Sequence, residues 1–208
     1  MDELRLAFER VVAGGPALQR QMSQPERYRI AVHEAGHAVV AIHLVHADPV
    51  EKVTITPRGR ALGYVMYTRT EDRYLQSRSE IRDRLVTLLA GRAAEEVILG
   101  EVSTGASDDL ERATELARRM VTQFGMDEQL GPVSFQAASA GAGLISGRSL
   151  AERTAVAVDY AVRRTIADAH ARAVDLVMEH RLALERVAAA LLERESIDRR
   201  ELDAILAG

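Results

Sequence analysis

The sequence lacks cysteine, tryptophan and asparagine, and it contains a single lysine, Lys52. Without cysteine the chain can form no disulfide, carries no thiol nucleophile and offers no thiolate to a metal ion. Any metal site must therefore be built from histidine, aspartate and glutamate. No apolar run approaches the roughly 18 residues that a membrane-spanning helix requires.

The charge balance is also unremarkable in sign and distribution. The 208 residues include 27 basic and 31 acidic side chains, which gives a net charge of -4, and 47% of the residues are hydrophobic. This composition is typical of a soluble globular protein. The absence of a basic patch argues against nucleic acid as a partner.

The N-terminal half alternates helical signals with one β region. Apolar spacing predicts a helix over 2–13, a linker over 17–25 that ends at Pro25, and a second helix from Glu26 to about Val45. Alternating and β-branched residues over 50–55 and 62–67, separated by Pro-Arg-Gly, predict a hairpin or a small sheet.

The remainder of the chain reads as helix. We predict helices over 79–99, capped by Ser79 and stopped by Gly100, and over 108–124. A Gly/Ala/Ser-rich loop over 131–149 precedes an almost wholly helical 150–193, and Asp198 with Glu201 predicts a capping box for a last short helix. The predicted fold class is mainly α with a small β-sheet or hairpin.

The strongest chemical signal is the HExxH motif formed by His33, Glu34 and His37 inside the second predicted helix. Residues four apart lie about 40° apart around a helix, so both imidazoles can reach one ion. Glu34 lies about 100° from His33, beside the ion, where it can act as a general base on water. Gly36 costs about 1 kcal/mol relative to alanine inside a helix, which predicts close approach by another element.

Because the HExxH motif is short, it can also occur by chance on a solvent-exposed helix face without binding a metal. The apolar neighbours Ile30, Val32, Val39 and Val40 favour metal binding instead, because they predict partial burial of the histidines.

The third ligand is not fixed by spacing. His43 stands ten residues after His33, but without a glycine at Val40 the helix continues and carries His43 about 15 Å along the axis. We therefore expect His43 to be a partly exposed residue at the helix end. The remaining candidates are acidic, and the residues alone do not choose among Glu95, Glu96, Asp108 and Asp109.

Several further segments resemble the peptidase domain of the FtsH family, membrane-anchored AAA+ zinc proteases. They occur in the family's order from about residue 26 to the C-terminus: HEAGHAVV at 33–40, HADPVEKVTITPRGRALGYV at 46–65, LLAGRAAEEVILGEVSTGASDDLERATELARRMV at 88–121, GMDEQLGPV at 125–133 and LLERESIDRRELDAIL at 191–206. Residues 1–14 resemble the end of the ATPase lid. The resemblance implies a lid-derived helix and linker over 1–25 and a metallopeptidase domain over 26–208, with a zincin-like HExxH helix and a C-terminal helical bundle.

The resemblance also assigns roles to residues. It implies one Zn²⁺ per chain held by His33, His37 and Asp109, with Glu34 as the catalytic base and Glu95 supporting a zinc-bound imidazole. Asp108 stands where the family usually has asparagine. An edge strand at Gly63, Tyr64 and Val65 is implied to bind substrate backbone by strand addition.

The implied function is zinc-dependent endoproteolysis of unfolded or threaded polypeptides, coupled to an AAA+ ATPase ring. The sequence contains no P-loop, so the ATPase would lie elsewhere in a longer parent protein or in a separate one. The family context implies a homohexamer and a membrane-anchored parent with this soluble part on the cytoplasmic side. A catalytically silent, zinc-stabilised assembly domain is the alternative function, although Glu34, which such domains usually lose, is present.

Overall fold

A computed structural model describes residues 22–58, 61–68, 75–135 and 152–207. These residues are mostly helical and include one small antiparallel sheet, which confirms the predicted fold class. The helix predicted over 2–13, most of the predicted linker and the loop residues 136–149 lie outside the described residues. No described helix combines the length and the apolar character needed to cross a membrane.

Helix α1 (Gln24–Ile42) forms the centre of the fold and is buried without interruption from Ala31 to Ala41. It begins two residues earlier than predicted, because Ser23 caps it and Pro25 occupies its first turn instead of ending a linker. Proline is tolerated there because its missing N–H has no intrahelical acceptor to lose. The helix ends at Ile42, with His43 as its C-cap, about three residues before the predicted end at Val45.

The predicted hairpin is confirmed as strands β1 (Val50–Thr54) and β2 (Tyr64–Tyr67), which pair antiparallel with Val53 opposite Val65. A third strand, β3 (Ser196–Asp198), pairs with the other side of β1, so the sheet order is β2-β1-β3. The sequence reading missed β3 because three residues are too few to establish an alternating pattern. The predicted capping box is present, with Asp198 and Glu201 exchanging backbone-to-carboxylate hydrogen bonds of 2.9 and 3.0 Å.

Helix α2 (Arg78–Ala94) packs on α1 and continues into a π-helical turn over Glu95–Leu99. The prediction of Ser79 as its N-cap is wrong. Ser77 takes that place because Glu80, three residues later, completes a capping box with it. Gly100 stops the helical run as predicted, in the left-handed conformation with φ of 73°.

The remaining helices surround this centre. A 3₁₀ turn over Thr104–Ala106 leads into α3 (Ser107–Thr122), and the C-terminal part consists of α4 (Glu152–Glu179), α5 (Arg181–Arg194) and α6 (Arg199–Ala207). Their buried faces join α1, α2 and the sheet in one hydrophobic core. This packing fixes α1, α2 and the start of α3 relative to one another.

Candidate metal centre

The imidazoles of His33 and His37 project from the same side of α1, one turn apart. Their Nε2 atoms are 3.1 Å apart and their rings meet edge to face with centroids 4.8 Å apart. Both residues are 8% exposed, so the pair is almost withdrawn from water.

Asp109, in the first turn of α3, brings the third atom to this pair. Its Oδ2 lies 3.4 Å from Nε2 of His33 and 3.1 Å from Nε2 of His37. Together the three residues form a group of the kind that can hold a metal ion. Asp108 is exposed and does not belong to this group.

The spacing of these three atoms fits zinc. A tetrahedron whose corners lie ~2.05 Å from a central Zn²⁺ has edges of about 3.3 Å, and the three observed separations are 3.1, 3.1 and 3.4 Å. Two nitrogens and one carboxylate leave a fourth position open, as in catalytic zinc sites.

The Nδ1 atoms of both imidazoles form hydrogen bonds with protein groups, and these bonds fix the orientation of the two rings. Nδ1 of His37 lies 2.8 Å from the carbonyl oxygen of Thr87, so it must carry the proton and donate it. Nδ1 of His33 lies 2.8 Å from Oε1 of Glu95. Both Nε2 lone pairs are therefore directed into the space shared with Asp109.

Glu95 is almost fully buried in the π-helical turn and is held from its other side by Arg29, at 3.3 Å. Burial raises the pKa of Glu95, but hydrogen bonds to His33 and Ser103 outweigh it and lower the pKa to about 2. Because Glu95 stays ionised at neutral pH, it makes the imidazole of His33 more basic and thus a better electron-pair donor to a metal ion.

The centre as a whole attracts positive charge. Burial lowers the pKa of His33, but hydrogen bonds to Asp109 and Glu95 outweigh burial and raise it to about 10. The same imidazoles hold the pKa of Asp109 well below its usual range despite its burial. A bound cation would satisfy this field in place of a proton.

Glu34 follows His33 on α1 and faces a different neighbour, the start of β2. A Cβ at Gly63 would fall 2.7 Å from Oε1 of Glu34, so the chain before β2 passes directly over this carboxylate. Burial raises the pKa of Glu34, which the positive imidazoles oppose only in part. A carboxylate with a raised pKa accepts a proton more readily, as a general base must.

Two glycines allow α2 to approach the motif helix. At Gly36 a Cβ would lie 2.5 Å from Cβ of Ala94 and 2.8 Å from the carbonyl oxygen of Ala90, which confirms the predicted close approach. At Gly91 a Cβ would lie 2.5 and 2.6 Å from Nε2 of His33 and of His37. The sequence reading missed Gly91, although its position within a helix of good helix formers carries the same signal as Gly36.

The other histidines lie away from the centre. His43 ends α1, as expected, and stacks on His180 with ring centroids 3.5 Å apart. His170 lies 3.2 Å from Glu96, the acidic candidate next to Glu95. His46 is exposed.

The three residues implied to bind substrate lie at the edge of the sheet. Gly63 precedes β2, while Tyr64 and Val65 begin it opposite Thr54 and Val53. Among the described strands β2 has a neighbour on one side only, and its first residues adjoin Glu34.

A sequence profile of peptidase family M41 matches residues 20–205. The chain belongs to peptidase family M41. It is 46% identical over 211 residues to the ATP-dependent zinc metalloprotease FtsH 3 of Symbiobacterium thermophilum, covering 99% of this chain and 34% of that protein. It is 47% identical over 213 residues to the ATP-dependent zinc metalloprotease FtsH of Ralstonia pickettii, covering 99% and 30%.

The family assignment confirms the resemblance to FtsH proteases. A third M41 relative, the ATP-dependent zinc metalloprotease FtsH of Burkholderia pseudomallei, is 46% identical over 208 residues, covering 97% of this chain and 31% of its own length. The chain thus spans about a third of the curated relatives it matches. Their names describe ATP-dependent zinc metalloproteases, and this chain contains a group of His33, His37 and Asp109 that could hold a metal ion.

Proposed function

We propose that this M41 chain is a zinc endopeptidase that hydrolyses peptide bonds in unfolded or threaded polypeptides. The observation that carries the proposal is the convergence of His33, His37 and Asp109 within 3.1–3.4 Å, beside the buried carboxylate of Glu34. This arrangement combines a three-ligand metal site with a separate base.

One Zn²⁺ per chain would be held by Nε2 of His33, Nε2 of His37 and a carboxylate oxygen of Asp109. When bound, zinc supplies a Lewis acid that polarises a carbonyl and lowers the pKa of water toward 7. Glu95 and Arg29 orient the imidazole of His33, and the carbonyl oxygen of Thr87 orients that of His37.

Glu34 is the proposed general base. It takes a proton from the water that attacks the scissile carbonyl carbon, and it returns that proton to the departing amine nitrogen. Its raised pKa suits both halves of this exchange, because the protonated form is stabilised by the same burial that makes the carboxylate basic.

The substrate is proposed to lie along β2 as an added strand, with main-chain hydrogen bonds to Gly63, Tyr64 and Val65. Strand addition requires an extended chain, so folded proteins must first be unfolded. We propose that an AAA+ ATPase module, in the parent protein or in a separate protein, unfolds these substrates. The proposed assembly is a homohexamer anchored at the membrane, with this domain on the cytoplasmic side. The domain is proposed to begin near residue 26, after a lid-derived segment.

The decisive experiment compares the wild-type protein with Glu34→Gln in zinc analysis and in hydrolysis of unfolded casein. We expect one zinc per chain in both proteins and a loss of cleavage of at least about 100-fold in the variant. Cleavage by Glu34→Gln at the wild-type rate would remove Glu34 from the mechanism. Zinc-loaded wild-type protein that cleaves no unfolded substrate would support the silent assembly domain instead.

The choice of third ligand is tested by Asp109→Ala with Asp108→Ala as its matched neighbour. We expect Asp109→Ala to lose zinc and activity, and Asp108→Ala to retain both, because only Asp109 lies near the imidazoles. The reverse result would assign the ligand to Asp108.

A further inference from the structure

A groove of about 390 Å³ lies where helices α2, α3 and α4 meet. This volume falls within the range of roughly 300–1,000 Å³ that is typical of small-molecule sites. The described residues that line the groove include neither a metal ligand nor Glu34, so the groove is separate from the candidate metal centre. Its walls are largely apolar and include Leu89, Leu110, Val162, Ile166 and Ala167.

The groove extends along α4. Val162, Ile166 and His170 all line it and follow one another at intervals of four residues, so they share one side of that helix. The rise of about 1.5 Å per residue carries them over about 12 Å. This length favours a ligand with an elongated apolar body.

The walls offer few hydrogen-bonding groups to a ligand. Every lining residue lies inside a helix, where the backbone N–H and C=O groups already bond to one another. The hydroxyl of Thr114 donates to the carbonyl oxygen of Leu110 at 2.7 Å. A polypeptide in this groove would lose the hydration of its amide groups without gaining partners for them, which disfavours a peptide as the ligand.

Two positive charges at the groove are not neutralised. Arg92 and Arg163 both line it, and among the described residues neither guanidinium takes part in an ion pair or a hydrogen bond. Glu96 lies 3.2 Å from Nε2 of His170 and pairs with neither arginine. Apolar walls with two such cations are complementary to a ligand that has an apolar body and one anionic group.

We propose that this groove binds the anion of a medium-chain fatty acid, with its alkyl chain along α4 and its carboxylate in the positive field of Arg92 and Arg163. The alkyl chain requires no hydrogen bonds, so helical walls without free polar groups can enclose it. The carboxylate is the only polar group of the ligand, and guanidinium groups bind carboxylates strongly. Because the site uses neither the metal ligands nor Glu34, the proposal does not depend on the peptidase function.

Calorimetric titration of the wild-type protein with octanoate tests the site directly. We expect saturable binding of one octanoate per chain. Octanamide has the same shape without the charge, and we expect it to bind about 10- to 100-fold more weakly, as the loss of a hydrogen bond to a charged group implies. This comparison needs no variant, so it holds whether or not a substituted protein folds.

Variants then locate the site. Arg92→Gln combined with Arg163→Gln should weaken octanoate binding by a similar factor and leave octanamide binding nearly unchanged. The matched control combines Arg84→Gln with Arg172→Gln, which removes two exposed arginines of the same helices outside the groove and should bind octanoate like the wild type. Ala167→Phe fills the groove from an exposed position on α4 and should weaken both ligands equally.

Three outcomes would overturn the proposal: no saturable binding of octanoate, equal affinity for octanoate and octanamide, or equal weakening in the two double-arginine variants. A polypeptide end is the competing ligand, because it also carries a carboxylate. If a short peptide with an apolar C-terminal residue bound more tightly than octanoate, and lost that binding when its C-terminus was amidated, the groove would be a peptide site and the fatty-acid assignment would be wrong.

Discussion

Gly91 stands behind the imidazoles of His33 and His37 at the point where α2 crosses the motif helix. A side chain there would occupy the space into which both Nε2 lone pairs are directed, since its Cβ would fall 2.5–2.6 Å from those atoms. Room for an ion among His33, His37 and Asp109 therefore depends on the absence of a side chain at Gly91.

We predict that Gly91→Ala abolishes zinc binding without unfolding the protein. Alanine favours the helix by about 1 kcal/mol, so the circular dichroism spectrum should keep its helical signal while metal analysis finds little zinc. A variant that retains one zinc per chain would show that the imidazoles can move aside.

In contrast to Gly91→Ala, Gly63→Ala should retain zinc but lose proteolytic activity. Its Cβ would fall 2.7 Å from Oε1 of Glu34 and 2.9 Å from the carbonyl oxygen of Thr54, but it approaches neither imidazole. We expect zinc content to stay at one per chain and casein hydrolysis to fall by at least about tenfold, because a displaced base loses much of its effect. Loss of zinc together with activity would contradict the separation of ligands and base.

Within the candidate metal centre, Glu95 contacts the imidazole of His33. We predict that Glu95→Gln weakens zinc binding about 10- to 100-fold, because the ionised partner of a ligand imidazole is lost while its shape is kept. Competition with a chelator of known affinity measures this. Glu96→Gln is the matched control, since the exposed Glu96 contacts His170 instead, and equal weakening in both variants would refute the specific role of Glu95.

At the scale of elements, the parts of the site differ in how far sequence predicts them. The motif helix follows from apolar spacing, and His33 and His37 follow from their four-residue interval. The paired strands follow from alternation on either side of a turn. These are local patterns, and local patterns are what a single sequence records most directly.

Other parts depend on contacts between distant segments. The choice of Asp109 over Asp108 depends on the rotation of α3, and the place of Glu95 depends on a π-helical turn that no residue type specifies. Strand β3 exists because Ile197 pairs with Val53 far away in sequence. Residue propensity and spacing cannot predict contacts between distant segments. The roles of Asp109 and Glu95 had been implied by family resemblance, whereas the pairing of Ile197 with Val53 had not.

The ends of three helices meet at a stacked pair of histidines. His43 closes α1, and His180 separates α4 from α5, with the two rings 3.5 Å apart at 15°. Nδ1 of His43 donates to the carbonyl oxygen of Val39. Burial and then the positive charge of His43 lower the pKa of His180, which Glu179 opposes only in part.

From the lowered pKa of His180 we predict that the free energy of unfolding decreases in mild acid. With its folded pKa below the unfolded value near 6.5, His180 binds protons more readily in the unfolded chain. Its neutral form therefore favours folding above about pH 6.5, and this contribution decreases as the pH falls toward the folded pKa.

We expect the melting temperature of the wild type to fall by more between pH 7.5 and 5.5 than that of His180→Phe, which keeps a ring in the stack without a titrating group. The control is His46→Gln, which removes an exposed histidine and should reproduce the wild-type slope. Identical slopes for all three proteins would refute the prediction.

At the scale of the whole molecule, the metal centre ties together elements that are far apart in sequence. His33 and Asp109 are separated by 76 residues, and α2 with its π-helical turn supports both imidazoles from between them. An ion bound at this point would join α1 to α3 across the hydrophobic core, and it would bind only the folded chain.

Removing zinc should therefore lower the stability of the entire domain. Zinc at about 100 times its Kd contributes about 2.7 kcal/mol, which corresponds to roughly 5–11 °C in melting temperature at 2–4 °C per kcal/mol for a domain of this size. A strong chelator should lower the wild-type melting temperature by that amount, and added zinc should restore it. Asp109→Ala should melt at one temperature with or without chelator. If the chelator lowered both proteins equally, the stabilising ion would have to bind elsewhere than at the three convergent side chains.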